Sequence, residues 1–269
     1  MKMKLFCGLL LGILLVLAAG PSAWAAPVPI DLNTWTKEGP SGNGNWNVSG
    51  DGSTVLQTIN GNPTFFVSPD NYINTTFQGK FKVETTFDDD FIGFVFGYNS
   101  PLASQGDPVN AFDFLLFDWK QLDQLSGGYM GYEGFNLVRV NGTFTDYSSS
   151  FWGHTDNPPT FDVLATDYGS DRGWADNTEY EFTLLYQVNR IKIDIKGGTG
   201  VFQNGATIFD VTGSFPDGRF GFYNYSQSSV RYQGFTEEET PAVVPIPGAA
   251  WLLASGLAGL VGLRRRTQG

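Results

Sequence analysis

"FDDDFIGFVFGYN", residues Phe87–Asn99, sets three consecutive carboxylates, Asp88, Asp89 and Asp90, against an unbroken apolar run. Period two places Ile92, Phe94, Phe96 and Tyr98 on one face and Phe91, Gly93, Val95 and Gly97 on the other, so the segment reads as a central strand. Counting back, Asp88 and Asp90 continue the face with the large side chains, and Asp89 continues the glycine face. The carboxylates therefore fall at the start of the strand, on a rim where loops gather and water enters. Three adjacent anions repel one another, at little cost when solvated and at more cost when partly buried. A hard cation such as Ca²⁺, which takes six to eight oxygens at about 2.3–2.6 Å, removes that repulsion. An acidic cap that keeps a strand edge soluble is the plainer account, and the local sequence leaves both open.

Alternation recurs on either side of this strand. In "KFKVETTF", Phe81, Val83, Thr85 and Phe87 share one face and Lys80, Lys82 and Glu84 the other. "YEFTLLYQV" groups Tyr180, Phe182, Leu184, Tyr186 and Val188; after a short break that reads as a hairpin, "RIKIDIKG" points Ile191, Ile193 and Ile195 one way. Pro216-Asp217-Gly218 is a turn signal, since Pro fixes one dihedral and Gly accepts positive φ. No window in the body has a helical period. With 34 Gly and 14 Pro spread along 269 residues, the composition suits many short strands joined by tight turns. The fold class predicted is all-β, a concanavalin A-like jelly-roll sandwich of two antiparallel sheets.

The two ends lie outside this pattern. "MKMK", then "LFCGLLLGILLVLAAG", then small residues at Ala23 and Ala25 make residues 1–25 a secretory signal cut after Ala25. The single cysteine, Cys7, belongs to it, so the exported body carries no disulfide. Residues 26–237 read as the sandwich domain, 238–244 as a linker, and 245–269 as a sorting and membrane segment. The last contains Pro245 and Pro247, an apolar stretch from Ile246 to Leu263, and Arg264, Arg265 and Arg266, which should stay cytoplasmic. These residues resemble the PEP-CTERM sorting signal of bacterial exported proteins, departing from it where Ile246 stands at a position often held by Glu. The resemblance implies transient inner-membrane anchoring, processing by an exosortase, and delivery to the cell surface or extracellular matrix of a Gram-negative bacterium. A plain C-terminal membrane anchor is the alternative.

Without both ends the basic count falls from 16 to 11 against 27 acidic residues, a net charge near −16. Such a body does not bind nucleic acid or anionic membranes by electrostatics, which leaves divalent cations and neutral glycans as partners.

From about Trp46 to Phe235 the chain resembles the C-terminal, lectin-like domain of thrombospondins. The stretches that carry the resemblance are "VLQTINGNP" (Val55–Pro63), "FQGKFKVETTFDDDFIGFVFGY" (Phe77–Tyr98), "WKQ" (Trp119–Gln121), "FWGHT" (Phe151–Thr155), "DYGSDRGWADNTEYEF" (Asp167–Phe182) and "GRFGFYNYSQ" (Gly218–Gln227). The resemblance implies a concanavalin-type sandwich, calcium as cofactor, and contacts with extracellular polysaccharide or surface glycoprotein in place of catalysis. It makes Asp88, Asp89 and Asp90 the first candidate calcium ligands. By analogy with lectins of this fold, Asp118, which follows an apolar strand in "AFDFLLFDWKQ", is placed near the rim and added as a fourth. Asp167, Asp171 and Asp176 form a second acidic cluster, which turn formation explains equally well.

An enzyme on this fold would need two carboxyl groups facing one cleft, about 5–5.5 Å apart when retaining. Asp88 and Asp90 are the only pair that suggests itself, and a glycan hydrolase is the alternative to a binding module. Glu179 and Glu181 share a strand face, but that face is the polar, solvated one. His154, the single histidine, lies in an apolar run and reads as structural, because a triad or a zinc site needs more than it can supply.

Overall fold

Strand β7 (Phe91–Ser100) is the middle strand of seven, the place its two apolar faces require. The computed structural model describes residues 27–101, 106 and 108–239. Its first sheet runs in the order β12 (Phe161–Tyr168), β11 (Gly134–Thr143), β8 (Ala111–Lys120), β7, β16 (Gly218–Tyr225), β5 (Thr64–Tyr72) and β2 (Thr36–Glu38). The second sheet runs β15 (Ala206–Thr212), β14 (Arg190–Gly197), β13 (Glu179–Gln187), β6 (Thr75–Val83), β17 (Val230–Glu239), β4 (Thr54–Gln57) and β3 (Trp46–Val48), with β1 (Val28–Pro29) added at β17. A short hairpin, β9 (Gln124–Ser126) and β10 (Tyr129–Gly131), stands apart. All these pairings are antiparallel, so the fold is the expected two-sheet jelly roll. β17 runs on to Glu239, two residues into the segment read as a linker.

Two apolar layers result, because the seven-stranded sheet is covered on both sides. Between the sheets, Ile92, Phe94 and Phe96 of β7 meet Phe117 and Trp119 of β8 and, from the facing sheet, Phe81, Phe182 and Ile193. The ring centroids of Phe94 and Phe117 lie 4.6 Å apart, and those of Phe94 and Phe182 4.8 Å. On the outer face, Phe91 and Val95 of β7 and Phe114 and Leu116 of β8 pack under Phe144, Phe151 and Trp152 of the segment between β11 and β12. That segment includes a π-turn, Ser148–Trp152, which aims Phe151 and Trp152 down onto the sheet.

Three positions depart from the sequence reading. Tyr98 belongs to the outer layer, not to the face of Ile92, Phe94 and Phe96. The β7–β8 register shifts between Phe96 and Ser100, and Gly97 takes φ +57°; this bulge reverses the alternation, and Tyr98 hydrogen-bonds Glu38 Oε2 at 3.0 Å. Phe87 is 81% exposed, although Phe81, Val83 and Thr85 are buried as read, because β6 ends at Val83. Val188 is likewise exposed, since it and Asn189 make the two-residue turn between β13 and β14. Alternation decides the facing of a side chain only as far as the hydrogen-bonded ladder extends.

A Cβ at Gly93 would lie 2.0 Å from the carbonyl oxygen of Phe117, a backbone atom that can yield only by opening the β7–β8 ladder. Gly93→Ala is therefore expected to destabilise the domain by about 3 kcal/mol, the upper part of the usual range for overpacking. Gly50→Ala, whose Cβ meets nothing within 4 Å, should stay within about 0.5 kcal/mol of wild type; urea denaturation of the two variants checks the contrast.

Candidate functional site

The loops at the β7 start of the sandwich enclose an open cleft of about 960 Å³. Its walls come from five connections: β6 to β7, β8 to β9, β10 to β11, β12 to β13, and β14 to β15. Asp88, Asp89, Glu133, Asp171 and Asp176 contribute five carboxylates, and among the described residues no lysine or arginine lines the cleft. Trp174, Tyr180 and Phe202, all buried, form the floor, while Phe87, Leu122 and Val201 stand exposed around the mouth. Neutral donors hold several of the acids in place. Asp88 Oδ2 accepts from Asn60 Nδ2 at 2.7 Å, Asp176 Oδ1 from Gln121 Nε2 at 3.1 Å, and Glu133 Oε1 from the Gly173 amide at 3.0 Å. The arrangement offers many acceptors and an apolar lip, the chemistry of a site for hydroxyl-rich or cationic molecules.

The triple-Asp run does lie on the rim, but its three carboxylates part company. Asp89 Oδ1 and Asp90 Oδ1 accept from the ammonium of Lys120, at 3.0 and 2.8 Å. Lys120 has no solvent exposure at all; its Nζ is also 3.0 Å from the Asp89 carbonyl oxygen and 3.1 Å from Gln124 Oε1. The rings of Phe91 and Trp152 lie 5.3 and 4.8 Å from it, within cation–π range. The reading of Asp90 on the face of Ile92 does not hold: Lys120 shares the outer face of β8 with Leu116, and Asp90, ahead of the first ladder residue, reaches across to it. Among the described residues, no lysine or arginine pairs with Asp88. Burial, and then the negative charge of Asp90, push its carboxyl up to about 6. Asp90 is also raised by burial, opposed chiefly by Lys120.

Asp118 is not a rim residue. It lies inside β8, fully buried, with Asn136 Nδ2 at 2.8 Å from Oδ1 and His154 Nε2 at 2.8 Å from Oδ2. Strand parity turns it to the outer face, which the 144–161 segment covers. The hydroxyl of Tyr168 donates to Asn136 Oδ1, completing a buried polar chain. His154, held at φ +46°, is thus structural: it ties the covering segment to the sheet. Asp167 pairs with Arg172 at 3.1 Å and does not line the cleft, whereas Asp171 and Asp176 do. The two acidic clusters of the sequence become one site, less Asp90, Asp118 and Asp167. Glu179 and Glu181 face solvent beside Lys80, as their strand face requires. Pro245, Pro247, Arg264, Arg265 and Arg266 lie outside the described residues.

Sequence reasoning missed Lys120, Glu133 and the exposed trio of Phe87, Leu122 and Val201. Lys120 stands in "WKQ", so a signal existed; what hid its role was the absence of any local sign that a lysine at a strand end would be buried.

A calcium ion at the triple-Asp rim does not fit the residues present. Two of the three carboxylates already enclose an ammonium, the third points to Asn60, and Asp118 is remote. Among the described residues, no group of three Asp, Glu, His or Cys side chains converges as a metal site.

Two antiparallel sheets with a loop-walled cleft at one end define a lectin-like β sandwich. The sequence profile of the thrombospondin C-terminal region matches residues 41–238, and the chain belongs to that family. Thrombospondin-2 of Gallus gallus is 31% identical over 222 residues, and thrombospondin-2 of Homo sapiens 31% over 224, each match covering 78% of this chain. The match spans only 17% of the length of those relatives. Among solved structures, the VIP36 exoplasmic/lumenal domain in its Ca²⁺/Man-bound form superposes with a TM-score of 0.52 at 14% identity, covering 79% of this chain and 85% of that one. Its Ca²⁺/Man3GlcNAc-bound form gives 0.51 at 15% identity, covering 82% and 90%. At that identity the likeness is one of fold.

The folded state binds the Asp88 proton more tightly than the unfolded chain does. Asp88 therefore adds stability below its unfolded value of about 3.9 and loses that contribution as pH rises through about 6. Asp88→Asn should raise the melting temperature at pH 7.5 by roughly 2–4 °C, the shift that about 1 kcal/mol produces in a domain of this size, and flatten the decline between pH 4 and 6. Thermal melts across that range check both.

Proposed function

We propose that the protein is an exported, non-catalytic lectin-like module that binds extracellular polysaccharide or surface glycoprotein through the acidic rim cleft. The observation that carries the reading is the cleft itself: five carboxylates and an exposed apolar lip, built from loops at one end of the sandwich. Carboxylates accept hydrogen bonds from sugar hydroxyls, and Phe87, 81% exposed, offers a ring face for an apolar sugar face. The strong negative charge turns polyanions away and leaves neutral or basic glycans. VIP36, named with mannose-containing ligands, shares the fold and supports the sugar half of this proposal. For the hydrolase alternative, Asp90 would have to face a substrate, and it is 3% exposed and held on Lys120.

The ends of the chain extend the proposal to location. The signal over residues 1–25 sends the body across the inner membrane. The segment from Pro245 to Arg266 holds it there until an exosortase removes it, releasing the domain to the cell surface or matrix.

Purified protein on an array of neutral, amino and acidic glycans should retain members of the first two classes. Phe87→Ala and Asp171→Asn, both changes at exposed positions of the cleft, should weaken retention about tenfold, the loss of roughly 1.4 kcal/mol, without lowering the melting temperature. No retained glycan, or variants that bind like wild type, would refute the cleft as the site, and release of reducing ends would favour the hydrolase. Mass spectrometry of the secreted form should find Ala26 at its start and no Arg264–Arg266 at its end.

A further inference from the structure

The thrombospondin resemblance leads one to expect calcium at Asp88–Asp90, and the geometry points elsewhere: we propose that in this chain the buried ammonium of Lys120 is the cation of the rim, so that the loops around the cleft hold their shape without divalent ions. The shell around Lys120 Nζ is complete. Four oxygens, from the Asp89 carboxylate and carbonyl, Asp90 and Gln124, lie between 2.8 and 3.1 Å, for three N–H donors. Two aromatic rings close the remaining sides, and the side chain is 0% exposed. A divalent ion between Asp89 and Asp90 would sit against a fixed positive charge that is itself fully buried, and like charges at that distance repel strongly. Both cations cannot occupy it, and the covalently attached one cannot diffuse away.

The position of Lys120 follows from β8. Even-numbered residues of that strand face outward, so Lys120 projects under Trp152 at the level where the chain enters β7. One ammonium thereby joins three segments: the acidic loop through Asp89 and Asp90, the β9 hairpin through Gln124, and the outer covering segment through the Trp152 ring. Lys120 is a positioning residue for the cleft, and this role is independent of which ligand the cleft takes.

The test is thermal melting of the full purified chain in excess CaCl₂ and in excess EDTA. Wild type should melt at the same temperature in both, because an ion that does not bind the native state cannot stabilise it. Lys120→Met leaves the buried Asp90 and the partly exposed Asp89 without a counter-ion and should melt lower by on the order of 10 °C. It should also gain what wild type lacks, a rise of several degrees in CaCl₂ over EDTA. Should Lys120→Met fail to fold, the triple change Lys120→Met, Asp89→Asn, Asp90→Asn removes the charges together and is expected to fold and to ignore calcium. The proposal is overturned if wild type itself rises several degrees with calcium, or if the triple variant falls as far as Lys120→Met, which would make the role of the lysine one of packing and not of charge.

Discussion

Strand β8 must serve two apolar layers at once, and it ends in charged residues within one of them. Its odd positions, Leu115, Phe117 and Trp119, complete the layer between the sheets; its even positions, Phe112, Phe114 and Leu116, complete the outer one. Asp118 and Lys120 continue the even series into a region that the 144–161 segment has closed to water. A buried ion costs several kcal/mol unless it is paired and hydrogen-bonded, so each of the two requires a partner from another part of the chain. Asp118 takes His154 and Asn136; Lys120 takes Asp89 and Asp90. The segment that covers the sheet and the loop that walls the cleft are located by those two demands.

This division of partners explains the character of the cleft. The crowded charge of the triple-Asp run is relieved from beneath by Lys120, and three of the five carboxylates at the opening have neutral partners: Asp88 on Asn60, Glu133 on a backbone amide, Asp176 on Gln121, while Asp89 keeps Lys120 and Asp171 lies 3.4 Å from Arg172. The mouth is left acidic, and Phe87, displaced from the core by the end of β6, supplies an aromatic face beside it. A rigid sandwich that carries its site on end loops suits a binding module, and Trp174 and Phe202 anchor those loops in the layer between the sheets.

The amino-acid sequence by itself determined the strands, their inward faces and the sandwich. Runs such as Ile191, Ile193 and Ile195 announce a half-buried strand by period two, and the two apolar faces of Phe91–Val95 announce a central one. It also placed Asp88–Asp90 at a strand start on the rim, and through the resemblance of its longer stretches it named the thrombospondin C-terminal family. What only the tertiary structure decided were the cross-chain partners: that Asp171 and Asp176 share a cleft with Asp88 and Asp89, that Asp118 turns inward to His154, that Gly97 bulges and sends Tyr98 to the other layer, and that Lys120 lies buried where a metal was expected. The physical reason is range. Alternation and turn chemistry act within a few residues, whereas the partner of a buried charge is chosen by which distant segment packs over it, and Lys120 with Asp89 or His154 with Asp118 are neighbours only once both sheets and the covering segment are in place.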